Sequence, residues 1–301
     1  MKRCHNLLSA FGALFVLVSL FAALAFTLAD DNAQTEASLA SRPLYLALGD
    51  SISWGYSPNG RLPENQRFVN ILAGEKGYRV QNESKVGNTS EGILEQLESG
   101  SLDSSIKEAQ VVTITCGGND LMHLVYGKTA ERYNRIYPTH PITVDDVVEI
   151  MENSGDSRQE TILLMALDTL TTEGIIEQAE IDAAIEDFIQ NLNRITAKIK
   201  SMNPDAKVFI ATQYDPYEDI SGLFSRATDR VGTCVGQLRE KVRENSEAGG
   251  YTAVDVYAAF QGNADDYCNA TDSGMQLDFH PSASGHKAIA DEFAAVVPDS
   301  R

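Results

Sequence analysis

Apolar positions along the chain follow two rhythms. Short unbroken runs at 44–48, 111–115 and 207–212 are rich in aliphatic and β-branched residues. Strands buried on both faces read this way, without polar alternation. Residues 78–81 and 251–256 are further candidate strands. Between these runs the period lengthens. Ile181, Ile185, Phe188, Leu192, Ile195 and Ile199 are spaced by four and three, which predicts a long amphipathic helix ending before Pro204. Residues 284–297 predict a closing helix with Ile289 and Phe293 on one side. Strand and helix in alternation imply α/β architecture, a parallel sheet with helices on both faces.

Two segments break the rhythm. Lys2 and Arg3 precede an uncharged apolar run at 7–28, followed by Ala29 and the polar stretch Asp30, Asp31, Asn32. That order predicts a secretory signal over residues 1–29, with an uncleaved membrane anchor as its competitor. Either form places the working domain outside the cytoplasm, secreted or held at the outer membrane face. Residues 30–42 read as a linker and 43–301 as one domain. Within it, residues 145–187 hold thirteen acidic residues and one basic residue, Arg158. A helical insertion at about 140–187 is expected there, either a solvated surface or a cap near the site, because a βαβ connection does not need such length.

Composition narrows the partners. The 301 residues are 43% apolar, enough for a substantial core. Lys plus Arg is 24 against Asp plus Glu at 43, a formal charge of −19. That sign opposes phosphate, so nucleic acid is not an expected partner, and a membrane would be met only through residues 1–29. Five His and four Cys argue against a metal-rich or cysteine-stapled protein. No cofactor or metal is expected. Cys116 ends an apolar run and reads as a buried free thiol. Cys234 and Cys268 sit in polar, turn-rich stretches and are the candidate disulfide pair.

In an open parallel sheet, ligands gather beyond the carboxyl ends of the strands. Small and polar residues recur at those positions: Gly49-Asp50-Ser51, then Gly87, then Gly117-Gly118-Asn119-Asp120, then Gln213-Tyr214-Asp215, and finally Asp278-Phe279-His280-Pro281. Acyl transfer requires a nucleophile, a base and oxyanion donors. Ser51 at a strand-to-helix turn suits the first role and His280 the second. The Ser51 and Gly87 N–H groups and the Asn119 amide are candidate donors, with Gly87 admitting close backbone approach. Asp50 is expected to shape its turn, Asp120 to cap a helix, and Tyr214 to be structural. Trp54 and Tyr56 are candidates for an acyl pocket and equally for the core. His123 and His286 read as helix-surface residues and His140 as a loop residue, none with a role.

The order of these blocks resembles the SGNH, or GDSL-type, lipase and esterase superfamily, in its bacterial secreted lipase/acylhydrolase branch. The resemblance runs from about Leu44 to Phe293. It is most specific at residues 46–51, at 113–120, and at His280-Pro281 with Gly285. It implies a flavodoxin-like, doubly wound three-layer α/β/α sandwich. It also implies a serine esterase or lipase with Ser51 as nucleophile, His280 as base, and Ser51, Gly87 and Asn119 as oxyanion donors. The family's acid stands three residues before the His, where this chain has Leu277. Either Asp278 or a backbone carbonyl would then orient His280, with Asp278 the preferred candidate. The expected substrate is a small-molecule or polymer-borne ester. Alternatives are a carbohydrate O-acetylesterase, a metal-dependent phosphoesterase, or a non-catalytic binding module on the same fold.

Overall fold

The computed structural model describes residues 38, 40–152, 155–219, 225–270 and 278–300. The expected signal at 1–29, most of the linker and Leu277 lie outside the described residues. Residues Pro43–Arg301 form one compact unit.

Its strands are β1 (Leu44–Gly49), the hairpin pair β2 (Tyr56–Ser57) and β3 (Gly60–Arg61), β4 (Arg79–Asn82), β5 (Ala109–Thr115), β6 (Lys207–Ala211) and β7 (Thr252–Val254). Five of them make one sheet in the order β4-β1-β5-β6-β7, with all pairs parallel. In chain order this is 2-1-3-4-5, the flavodoxin-like arrangement. The strand order reverses beside β1, so β1 and β5 flank the position where a ligand is expected.

The helices are α1 (Ser51–Trp54), α2 (Phe68–Lys76), α3 (Ser90–Glu98), α4 (Asp103–Glu108), α5 (Gly118–Ile136), α6 (Val144–Glu152), α7 (Gln159–Thr171), α8 (Gln178–Met202), α9 (Ser225–Gly249), α10 (Val256–Phe260), α11 (Ala264–Tyr267) and α12 (Ala283–Val296). Side chains of β1 divide by parity, as a pleated strand requires. Leu44, Leu46 and Leu48 join α3, α4, α8 and α9 in one core, while Tyr45 and Ala47 join α2, α10 and α12 in a second. The period-2 split of an apolar run therefore supplies both faces of a three-layer sandwich.

Three sequence expectations shift. The strand expected at 251–256 is shorter, because the Asp255 carboxylate accepts from Ala258 N–H and starts α10 at Val256. The acidic segment folds as α6, α7 and the start of α8, but it is more than a solvated face. Val147, Ile150 and Ile162 pack with Ala130 and Tyr133 of α5 in a third apolar cluster. His286, expected on a helix surface, is wholly buried in α12. Its ring stacks on Phe68 with centroids 6.1 Å apart, since that side of α12 faces α2. Among the described residues, no helix is long and apolar enough to cross a membrane.

Candidate active site

β1 ends at Gly49, whose φ of +131° places its Cα hard against β5. A Cβ there would lie 2.4 Å from the Thr115 carbonyl oxygen, so only glycine fits. The chain then turns into α1. The Asp50 N–H donates to the Thr115 carbonyl at 3.1 Å, and its carboxylate accepts from Ile52 N–H at 3.0 Å and Thr115 Oγ1 at 2.7 Å. Thr115 Oγ1 also meets Ser53 Oγ at 2.8 Å. Asp50 thus shapes the turn, as its position suggested. Burial pushes its carboxyl up to about 6, against the opposing pull of its Thr115 and Ile52 hydrogen bonds. Ser51 opens α1 and is 4% exposed. As the first helical residue, it has no intrahelical partner for its N–H.

His280 arrives from the far end of the chain. Its carbonyl accepts from Asn269 N–H and Nδ2, each at 3.0 Å, and the preceding Phe279 carbonyl accepts from Tyr214 Oη at 2.8 Å. The ring is faced by Tyr56, with centroids 4.2 Å apart. Nε2 lies 2.9 Å from Ser51 Oγ, and Nδ1 lies 2.5 Å from Asp278 Oδ1. A proton on Nδ1 satisfies the carboxylate and leaves Nε2 as acceptor for the serine hydroxyl; this tautomer follows from the hydrogen-bond network. The ring therefore faces a carboxylate and not a backbone carbonyl. The two-residue spacing suffices because the Asp278 carboxylate folds back, accepting also from His280 N–H at 3.2 Å.

The candidate donors lie at the next two strand ends. The β4–α3 loop is tied to the turn that carries Ser51, with Lys85 N–H donating to the Gly49 carbonyl at 3.0 Å and Asn88 Nδ2 at 3.3 Å. Gly87 has a φ of +73°, and nothing lies within 4 Å of where a Cβ would be. Its backbone conformation favours glycine, and the open space beside it leaves room for a reacting group to approach its N–H. Among the described residues its N–H meets no protein acceptor. Asn119 Nδ2 donates one proton to the Asn88 carbonyl at 2.9 Å, which holds the same loop and leaves the second proton available. Asp120 does not simply cap its own helix. It accepts from Ser90 N–H at 3.1 Å and Ser90 Oγ at 2.5 Å, fixing the start of α3, and burial raises its carboxyl.

Ser51 and Asn119 also line a cavity of about 140 Å³, walled mainly by apolar side chains from α5, α9 and the α7–α8 region. Trp54 and Tyr56 do not line it. Trp54 instead packs under Arg61, and Tyr56 against His280. Sequence reading missed the wall itself (Leu170, Ile176, Ile181, Val231 and Val235), for which only the helical periodicity of α8 gave a signal. Thr115, which the sequence marks only as the end of an apolar run, is the hub of the turn. Cys116 is buried and free, as expected, and burial raises its thiol. The Cys234–Cys268 disulfide does not form. Both are free, because Cys234 packs against the α9 side of the sheet while Cys268 belongs to the core on the other. His123 is half-buried on α5, and His140 lies exposed. Among the described residues, no three His, Cys, Asp or Glu side chains are grouped to hold a metal ion.

The model of the GDSL-like lipase/acylhydrolase family matches residues 47–288. The fold is shared with the lipase Lip_vut3 from a goat rumen metagenome, at a TM-score of 0.53 and 19% identity over 84% of this chain and 96% of that one. It is shared equally with phospholipase A1 from Streptomyces albidoflavus NA297, at 0.53 and 16% over 85% and 100%. An uncharacterized protein of Bacillus subtilis (strain 168), YpmR, is 24% identical over 173 residues, which are 54% of this chain and 64% of that protein.

Proposed function

The chain belongs to the GDSL-like lipase/acylhydrolase family, and from that premise we propose that it hydrolyses carboxylic esters through a Ser51 acyl-enzyme. One observation carries the reading: Ser51 Oγ is within 2.9 Å of His280 Nε2 while Ser51 lines an apolar cavity. In the proposed cycle, Oγ attacks the ester carbonyl carbon as its proton passes to Nε2. Asp278 holds the ring and stabilises the imidazolium that forms. The developing oxyanion meets the N–H groups of Ser51 and Gly87 and the second Asn119 amide proton. Collapse breaks the bond to the alcohol, which leaves with the proton from Nε2. Water then attacks the acyl-enzyme, giving its proton to His280. The carboxylic acid departs and Ser51 Oγ recovers its proton.

This mechanism is tested with p-nitrophenyl butyrate and a fluorophosphonate label. Ser51→Ala is expected to lower kcat by at least about 10⁴-fold with circular dichroism unchanged, and to abolish a label that tryptic mass spectrometry places on Ser51. Equal turnover by the variant would overturn it. We also propose that the enzyme works outside the cytoplasm, supported by the basic residues and apolar run at the N-terminus. Fractionation of producing cells, with N-terminal sequencing of the extracytoplasmic form, tests that placement and separates cleavage near Ala29 from retention as an anchor.

A further inference from the structure

Resting on the ester-hydrolase reading of Ser51, we propose that the adjoining cavity is an acyl-chain pocket closed by the acidic segment. The preferred substrates are then medium-chain esters, with acyl groups of about six to eight carbons.

Size and placement argue for it together. Ser51 and Asn119 stand at one part of the cavity wall, so an acyl carbon bonded to Oγ has its chain directed along apolar surface. One side of the remaining wall comes from Leu121 and Val125 on α5, and the other from Leu170 on α7, Ile176 in the α7–α8 connection, Ile181 on α8, and Val231 and Val235 on α9. An apolar cavity near 150 Å³ accepts a benzene-sized guest, about six carbons, and this one measures about 140 Å³. With the carbonyl carbon outside at Ser51, the chain that fills it is close to heptanoyl. Acetyl would leave most of the space unfilled.

The acidic segment is two-sided where it meets the cavity. Glu173 and Glu177 are exposed, while Ile176 between them is buried and lines the wall. Arg230 Nη2 donates to the Ile176 carbonyl at 2.5 Å, fastening this connection to α9. The carboxylates that suggested a solvated surface keep one side in water, and the interleaved aliphatic residues set the pocket's depth.

The test is a kcat/KM series on p-nitrophenyl acetate, butyrate, hexanoate, octanoate and dodecanoate below their micellar concentrations, using the full-length protein. Each methylene that enters the pocket raises kcat/KM about fourfold. The profile is expected to peak at hexanoate or octanoate and to fall at least tenfold by dodecanoate. Leu170→Trp is expected to lower the octanoate-to-acetate ratio at least tenfold. Leu170→Ala, which does not depend on accommodating a larger ring, moves the optimum to longer chains. Leu164→Trp, on the same helix but 59% exposed, leaves the ratios as they were. A profile that declines steadily from acetate, or ratios unmoved by both Leu170 substitutions, overturns the pocket. If that happens in a protein still inactivated by Ser51→Ala, the pocket alone is wrong. Turnover that survives Ser51→Ala removes the ester-hydrolase reading beneath it.

Discussion

The turn that carries Ser51 and the wall of the cavity beside it are held by different forces. At the turn, Asp50, Ser53 and Thr115 are joined by hydrogen bonds between 2.7 and 3.1 Å, and Gly49 makes one close backbone approach to Thr115. Such bonds demand particular atoms at particular angles. At the wall, Leu170, Ile176, Ile181, Val231 and Val235 supply only apolar bulk. Many combinations of aliphatic residues fill such a space about equally well. On the proposed reading, chemistry at Ser51 is therefore restricted to few residue types, and chain-length choice is left open to substitution. The two properties should also separate under mutation.

Beyond Ser51 itself, the largest expected effect is at Asp278. Asp278→Asn should lower kcat by roughly 10⁴-fold, because the amide cannot hold the ring in the same tautomer as a carboxylate. The acyl-length profile should keep its shape in steady-state kinetics, and a shifted optimum would break the separation. Asn119→Ala should cost about 10²- to 10³-fold in kcat. It sharpens the comparison, since Asn119 lines the cavity and also tethers the Gly87 loop. If only the donor matters, the loss falls equally on acetate and hexanoate. Thr115→Val keeps the shape and removes the hub hydroxyl. Urea denaturation should report a loss of about 1–3 kcal/mol, from Asp50 and Ser53 left without that partner.

The smallest effect concerns pH and lies away from both regions. Burial pulls the His286 pKa from 6.5 to about 3. Between those values the unfolded chain binds more protons than the folded one. Stability from this group is therefore full above about pH 6.5 and falls as pH drops toward the folded value. Asp50, raised from 3.8 to about 6, has the opposite sign: its folded state binds more protons, so its contribution falls as pH rises through that window. The two partly offset. His286→Phe should flatten the acid limb of the melting temperature measured from pH 7 to pH 4, or reverse it where Asp50 is left alone. An unchanged limb would show that His286 does not govern it.

The same division explains what the sequence made legible. Runs of both-face-buried strand residues announced β1, β5 and β6, and the four-and-three spacing from Ile181 announced α8. Ser51, Gly87, Asn119 and His280 stood at strand ends and within family blocks, so their neighbourhood could be read before any coordinates. Asp278 was legible only as the preferred of two ways to orient His280, because two-residue and three-residue spacings differ only through the local path of the chain. Trp54 and Tyr56 were plausible pocket residues by type, yet direction decides, and the hairpin turns them toward Arg61 and His280. His286 was misplaced because a polar type predicts exposure, whereas its position on α12 faces Phe68. The acidic segment hid its apolar side for a related reason. Charge counts average over a helix, and burial is settled residue by residue.

The Tyr214–Phe279 hydrogen bond has a consequence for how the enzyme fails under heat. Ser51 hangs on β1 and β5, paired strands in the interior of the five-stranded sheet. His280 hangs on that phenol, on Asn269 and on the isolated bridge between Cys268 and Pro281. Few bonds separate the second attachment from release, so its local opening costs less than global unfolding. Warming should part His280 from Ser51 while the sheet remains whole. Turnover would then fade several degrees below the calorimetric transition and return promptly on cooling, a reversible thermal off-state that Tyr214→Phe would bring to lower temperature.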